Sequence, residues 1–97
     1  MKHYLLVYGK DLGKRDEIKA CLDALPEVVS WRFEMPNSFF IQSELNAQKL
    51  GDAIHACRNV EYPKYFLVEI PPYDPAKSWG WLVGDSWRFL GRTPKKP

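Results

Sequence analysis

Between Glu27 and Glu34 the apolar residues recur with a period of two, and the run ends at the turn Met35-Pro36-Asn37-Ser38. Val29, Trp31 and Phe33 alternate with Val28, Ser30, Arg32 and Glu34, and Phe39-Phe40-Ile41-Gln42 returns. A period of two belongs to a strand and Pro-Asn to a turn, so this segment predicts a β-hairpin. A lone hairpin is marginal in water; it needs more strands, or a helix, to bury its apolar face. The flanking segments supply both. Tyr4 to Tyr8 is a β-favouring run closed by Gly9, and from Asp11 to Leu25 the residues Leu12, Ile18, Leu22 and Leu25 recur at helical spacing until Pro26. Leu45 to Cys57 predicts a second helix, with Asn46 or Ser43 as N-cap and Ala47, Leu50, Ile54 and Cys57 as its stripe. Gly51 interrupts that helix and leaves room for a close approach. Tyr65 to Ile70 predicts a last strand, stopped by Pro71-Pro72.

The resulting order is strand, helix, strand, strand, helix, strand. It predicts the α+β, ferredoxin-like βαββαβ sandwich, a four-stranded antiparallel sheet with both right-handed crossovers placing helices on one face. The expected strand order is 4-1-3-2. The first and third strands are apolar on both faces, as central strands are, and the second alternates, as an edge does. A chain of 97 residues admits one such domain. Residues 1–70 are expected to form it, and residues 71–97 a Trp-rich docking or dimerisation extension.

The helices cover one sheet face. The other must carry either Tyr4, Leu6 and Tyr8 or His3, Leu5 and Val7, and a face this apolar is expected to be covered. Three candidates are the extension, a second copy of the chain, or a flat stacking ligand such as nucleic acid. The extension holds three of the four Trp: Trp79, Trp81 and Trp87. Asp85 is a fitting N-cap for a turn or two of helix ended by Gly91, with Trp87 and Leu90 on one side and Phe89 between them. Lys and Arg number 9 against 10 Asp and Glu over residues 1–70, and 5 against 2 over residues 71–97. The simplest expectation joins these facts: Tyr4, Leu6, Tyr8, Trp79, Trp81, Trp87, Phe89 and Leu90 are interface or sheet cover, and the basic charge is a solvated fringe.

Chemistry is harder to find. Lys10, Lys14 and Arg15 surround Gly9 and Gly13 at a predicted helix start, where free N–H groups favour an anion. The spacing matches no phosphate cradle, and a turn before a solvated helix start is the favoured account. With Arg32, Arg88 and Arg92 they are also the candidate nucleic-acid contacts. Asp11 is the only catalytic or metal candidate, against a plainer role as helix N-cap. His55 and Cys57 stand two apart on a helix and so point in different directions. Cys21 and Cys57 cannot build a disulfide framework or a zinc site on their own and are expected to be small buried residues. No apolar run reaches the ~18 residues of a membrane span, and the start of the chain lacks a signal-peptide pattern. The cytoplasm is therefore the expected setting, with no membrane partner.

Leu6-Val7-Tyr8 leading to Lys14-Arg15, Trp31 with Ser38 to Gln42 and Leu45-Asn46-Ala47, and Tyr65 to Ile70 carry a family resemblance. Over about residues 2–70 the chain resembles the small CRISPR-associated ferredoxin-like scaffold/nuclease family and its virulence-associated toxin relatives. The resemblance implies a homodimer joined through its sheets and, in some members, Mg²⁺-dependent cleavage of nucleic acid. Those members carry an aspartate directly after the tyrosine ending the first strand; here Gly9 stands there and Asp11 is the nearest carboxylate. The leading expectation is therefore a small homodimeric interaction or regulatory module, associated with nucleic acid in one version. The alternatives are a metal-dependent endonuclease or toxin, and a small-molecule binder using Tyr4, Tyr8 and Trp31. No cofactor is expected outside the nuclease alternative.

Overall fold

The computed structural model describes all residues up to Gly91 except Tyr73, Pro75 and Ser78. Its elements run β1 (Lys2–Tyr8), α1 (Arg15–Ala24), β2 (Val28–Arg32), β3 (Ser38–Ser43), α2 (Ala47–Arg58), β4 (Tyr65–Ile70) and α3 (Gly84–Phe89). The sheet order is β2-β3-β1-β4, with every neighbouring pair antiparallel. This is the ferredoxin-like topology expected from the sequence, with β1 and β3 central.

The register decides which parity of β1 meets the helices. Tyr4 pairs with Ile41, and Leu6 with Phe39 and Leu67. These residues, with Tyr8, are buried among Leu12, Ile18, Leu22, Leu50 and Ile54. Tyr4, Leu6 and Tyr8 are thus core beneath α1 and α2, which corrects their assignment to an interface. The opposite face belongs to His3, Leu5 and Val7, with Phe40, Phe66 and Val68 paired beside them. Tyr4 is a polar core residue because its hydroxyl donates to the Leu45 carbonyl at 2.6 Å.

Strand β2 departs from the alternation expected of it. A register shift between Val28 and Ser30 inserts one residue. Val28 therefore joins Trp31 and Phe33 against the core, and Val29 turns out to solvent. Trp31 and Phe33 stack with ring centres 6.4 Å apart, and Phe39 meets both edge-on.

Helix α1 begins at Arg15, not at Asp11. The intervening residues form two successive turns, Leu12 N–H to the Gly9 carbonyl and Gly13 N–H to the Lys10 carbonyl. Gly13 has φ 131°, where a side chain is strained. Leu12 still reaches the core, as a loop residue. Arg58, at the end of α2, ties this turn down by donating from Nε to the Leu12 carbonyl at 2.7 Å. Asn46 caps α2 by accepting from Lys49 N–H, and Asn59 ends it in the left-handed conformation. Gly51 does mark a close approach, but by the Tyr65 ring: a Cβ there would sit 3.2 Å from its hydroxyl.

Cys21 of α1 and Cys57 of α2 form a disulfide, their Cα atoms 5.9 Å apart. Both were expected to be small buried residues; Cys21 is buried, Cys57 is exposed, and the two are bonded. The crossovers lay the two helices side by side on one face, and that adjacency is what lets two cysteines 36 residues apart meet.

Candidate interaction surface

The outer sheet face has two halves. Over the first lies α3. Glu34 accepts at one carboxylate oxygen from the Val83 N–H (2.9 Å) and from the Ser86 hydroxyl (2.7 Å). Arg32 Nε donates to the same hydroxyl at 2.7 Å. Ser86 is fully buried, so its small side chain sets how closely α3 approaches β2. At the far end of the helix, Phe89 meets the His3 ring edge-on, 5.8 Å between centres. The helix therefore spans from β2 to β1. Phe40, opposite both Arg32 and Leu5 in the register, is only 7 % exposed. Trp87 and Leu90 are half-buried. The N-cap of α3 is Val83, not Asp85; Asp85 sits in the first turn and pairs with Arg88.

Among the described residues the second half is uncovered. Val7 and Phe66 face each other across β1 and β4, with Val68 next along β4. They are 45, 66 and 39 % exposed. Of the extension's aromatics, Trp79 is 68 % and Trp81 92 % exposed. Among the described residues the extension thus divides at Val83: α3, which follows, is cover, and Trp79 and Trp81, which precede it, are largely exposed.

The basic candidates do not converge on one site. Arg32 is engaged by Ser86, and Arg88 by Asp85. The Arg15 guanidinium lies over the Phe33 ring, 4.4 Å from its centre, and Lys19 reaches both Trp31 and Phe33. Lys10 and Lys14 are exposed beside the turn. Arg92 lies outside the described residues. The start of α1 already holds a negative charge of its own: Glu17 accepts from the Lys14 N–H at 2.8 Å and pairs with Arg58 at 3.3 Å. That hydrogen bond and the Arg58 charge hold its carboxyl below its ordinary range.

Asp11 is exposed in the β1–α1 turn, and among the described residues no group of three or more His, Cys, Asp or Glu is placed to hold a metal ion. His55 hydrogen-bonds the Val60 carbonyl through Nε2, and Cys57 is in the disulfide. A shallow depression of about 280 Å³ lies at this end of α2, lined by Asp52, His55, Ala56, Asn59 and Val60. Burial raises the hydroxyl pKa of Tyr4 and of Tyr8; Glu69 adds to the first, and the nearby Arg15 partly opposes the second. No described helix is long and apolar enough to cross a membrane.

Fold and surface define an α+β protein of ferredoxin-like topology with a helical strap over half of its outer face. No family model matches the chain, and neither the curated proteins nor the solved structures contain a significant match.

Proposed function

We propose that this chain is a small interaction module that acts as a homodimer. One observation carries the proposal: among the described residues the extension covers only half of the outer sheet face, and Val7, Phe66 and Val68 are exposed together with Trp81. Apolar patches rimmed by polar residues mark interaction sites, and aromatic anchors dominate interface energetics. The resemblance noted in the sequence points the same way, toward dimers joined through sheets. The nucleic-acid version has less support, since Arg32 and Arg88 have partners within the chain. Cytoplasmic residence stays part of the proposal, although disulfides such as Cys21–Cys57 persist chiefly in oxidising compartments; trapping the thiols in fresh cell extract decides between the two settings.

Light scattering tests the dimer directly. The expected mass is twice the 11.3 kDa of one chain at micromolar concentration. Trp79→Ala with Trp81→Ala is expected to weaken association without altering the circular-dichroism spectrum. A monomer up to ~1 mM, where even weak association saturates, rejects the proposal.

A further inference from the structure

We infer that the homodimer is sealed along β4, whose free edge pairs antiparallel with the β4 of a second copy so that two four-stranded sheets run on as one. This rests on the homodimer proposed above and specifies its seam.

The sheet has two edges, and only one is protected. Strand β2 is five residues long, is interrupted by the register shift at Val28/Ser30, and has the strap fastened at Arg32 and Glu34. Short length, bulges and nearby charges are the devices that keep an edge from recruiting another strand. Strand β4 has no bulge and no strap, and its one charge, Glu69, lies on the helix side, opposite Tyr4. It pairs with β1 over all six residues from Tyr65 to Ile70 without a shift, and contains no proline or lysine. Its outer row of N–H and C=O groups meets no other strand among the described residues. Pro63 below and Pro71-Pro72 above bracket it, so an added strand has defined ends.

The side chains also suit a copy of themselves. Antiparallel pairing about a two-fold axis normal to the sheet sets residues of the same face opposite each other. The axis then passes through either Val68 or Leu67. In the first case Phe66 faces the partner's Ile70, and Val68 faces itself. In the second, Phe66 faces the partner's Val68. Either way the outer face shows an apolar ladder of Phe66, Val68 and Ile70, and the one charge of the strand, Glu69, stays on the helix side. Phe66 and Val68 are the exposed residues of the bare half-face, so one contact buries the patch and satisfies the edge together. A face-to-face dimer would bury the patch and leave the edge open.

Association of the full chain is followed by sedimentation equilibrium in the wild type and in Val68→Lys and Phe66→Lys. Both side chains are exposed, so the fold is expected to persist, checked by circular dichroism and thermal midpoint. A lysine buried against the partner's apolar ladder is expected to weaken the dimer by about a hundredfold or more in either register. With the axis at Val68 an equal mixture of Val68→Lys and Val68→Glu is expected to recover it, and with the axis at Leu67 an equal mixture of Phe66→Lys and Val68→Glu. In the wild type, the β4 amides that do not bond to β1 should gain hydrogen-exchange protection as concentration rises, a readout that needs no substitution. A monomeric wild type overturns this inference and the homodimer alike. A dimer that survives Val68→Lys and Phe66→Lys but dissolves with Trp79→Ala and Trp81→Ala overturns the β4 seam and leaves the homodimer standing.

Discussion

Removing one oxygen should release the strap. In Ser86→Ala, two hydrogen bonds that fasten α3 to the end of β2 and to Glu34 beyond it disappear: the one accepted from Arg32 and the one donated to Glu34. Both involve an ionised partner, a class worth about 1.5–3 kcal/mol each when lost in isolation. Arg32 and Glu34 are half-buried and regain water once the hydroxyl is gone, so the net loss is nearer that of one such bond, about 1.5–3 kcal/mol in total. Each 1.4 kcal/mol is tenfold in an equilibrium constant, which makes local opening of α3 about 10–100 times more frequent. Native-state hydrogen exchange reads this at the N–H groups of Ser86 and Trp87, which bond to the Val83 carbonyl, and of Leu90, which bonds to that of Ser86. Amides of the central strands β1 and β3 should keep their protection, because α3 supplies no residue of the main core. Unchanged protection in α3 refutes the assigned role of Ser86. An equal loss in β1 and β3 refutes the picture of a strap that opens on its own.

Other expectations are independent of this one. Reduction of Cys21–Cys57 removes a crosslink across 36 residues of sequence, worth about 3–4 kcal/mol by loop-closure entropy; the thermal midpoint should fall by at least ~12 °C, and thiol titration should find two groups only after reduction. Glu17 has a folded pKa below its ordinary 4.5, so its contribution is present above that value and lost as pH falls through the depressed one; acid unfolding monitored at 222 nm should lose part of its pH dependence in Glu17→Gln. Tyr4 and Tyr8 are raised by burial, so they favour the fold below the ordinary value of 10 and cease to as pH climbs through their own; ultraviolet titration should show two tyrosines ionising late, and one fewer in Tyr4→Phe. Gly13→Ala forces a side chain into φ 131° and within 2.7 Å of the Arg58 guanidinium; it should cost about 1–3 kcal/mol in denaturant unfolding, with Arg58→Ala relieving the contact but not the strain.

The fold was legible because each element carries its own period and the hairpin lies between two helices, an arrangement with few topological solutions. What escaped was parity and placement. In β1 both faces are apolar, so alternation alone could not say whether Tyr4 or Leu5 meets the helices; only pairing with β3 and β4 decides it. Val28 and Val29 are chemically identical, and nothing local announces that the strand bulges between them. Leu12 fits the helical stripe by spacing yet belongs to a turn, because Gly13 and the Arg58 contact end that turn two residues later. The surface was less legible than the fold. Arg32 resembled a free cation because its partner, Ser86, lies 54 residues away in sequence. The division of the extension at Val83 likewise depends on Glu34, a residue of the hairpin. The cue that was available is compositional: three tryptophans in one short segment exceed what a single helix of six residues can bury.

The Cys21–Cys57 bond also alters how the molecule answers to force. Pulled from its two ends, a chain crosslinked there transmits tension through the bridge and bypasses the hairpin and most of α2. The 36 residues of separation, at about 3.5 Å each, would withhold ~125 Å of extension until the bond is cleaved. A stretched molecule would part at β1, β4 and the strap first, while β2 and β3 stayed slack inside a covalent ring. Reduction under load would then appear as a single discrete lengthening, a chemical event read as a step in distance.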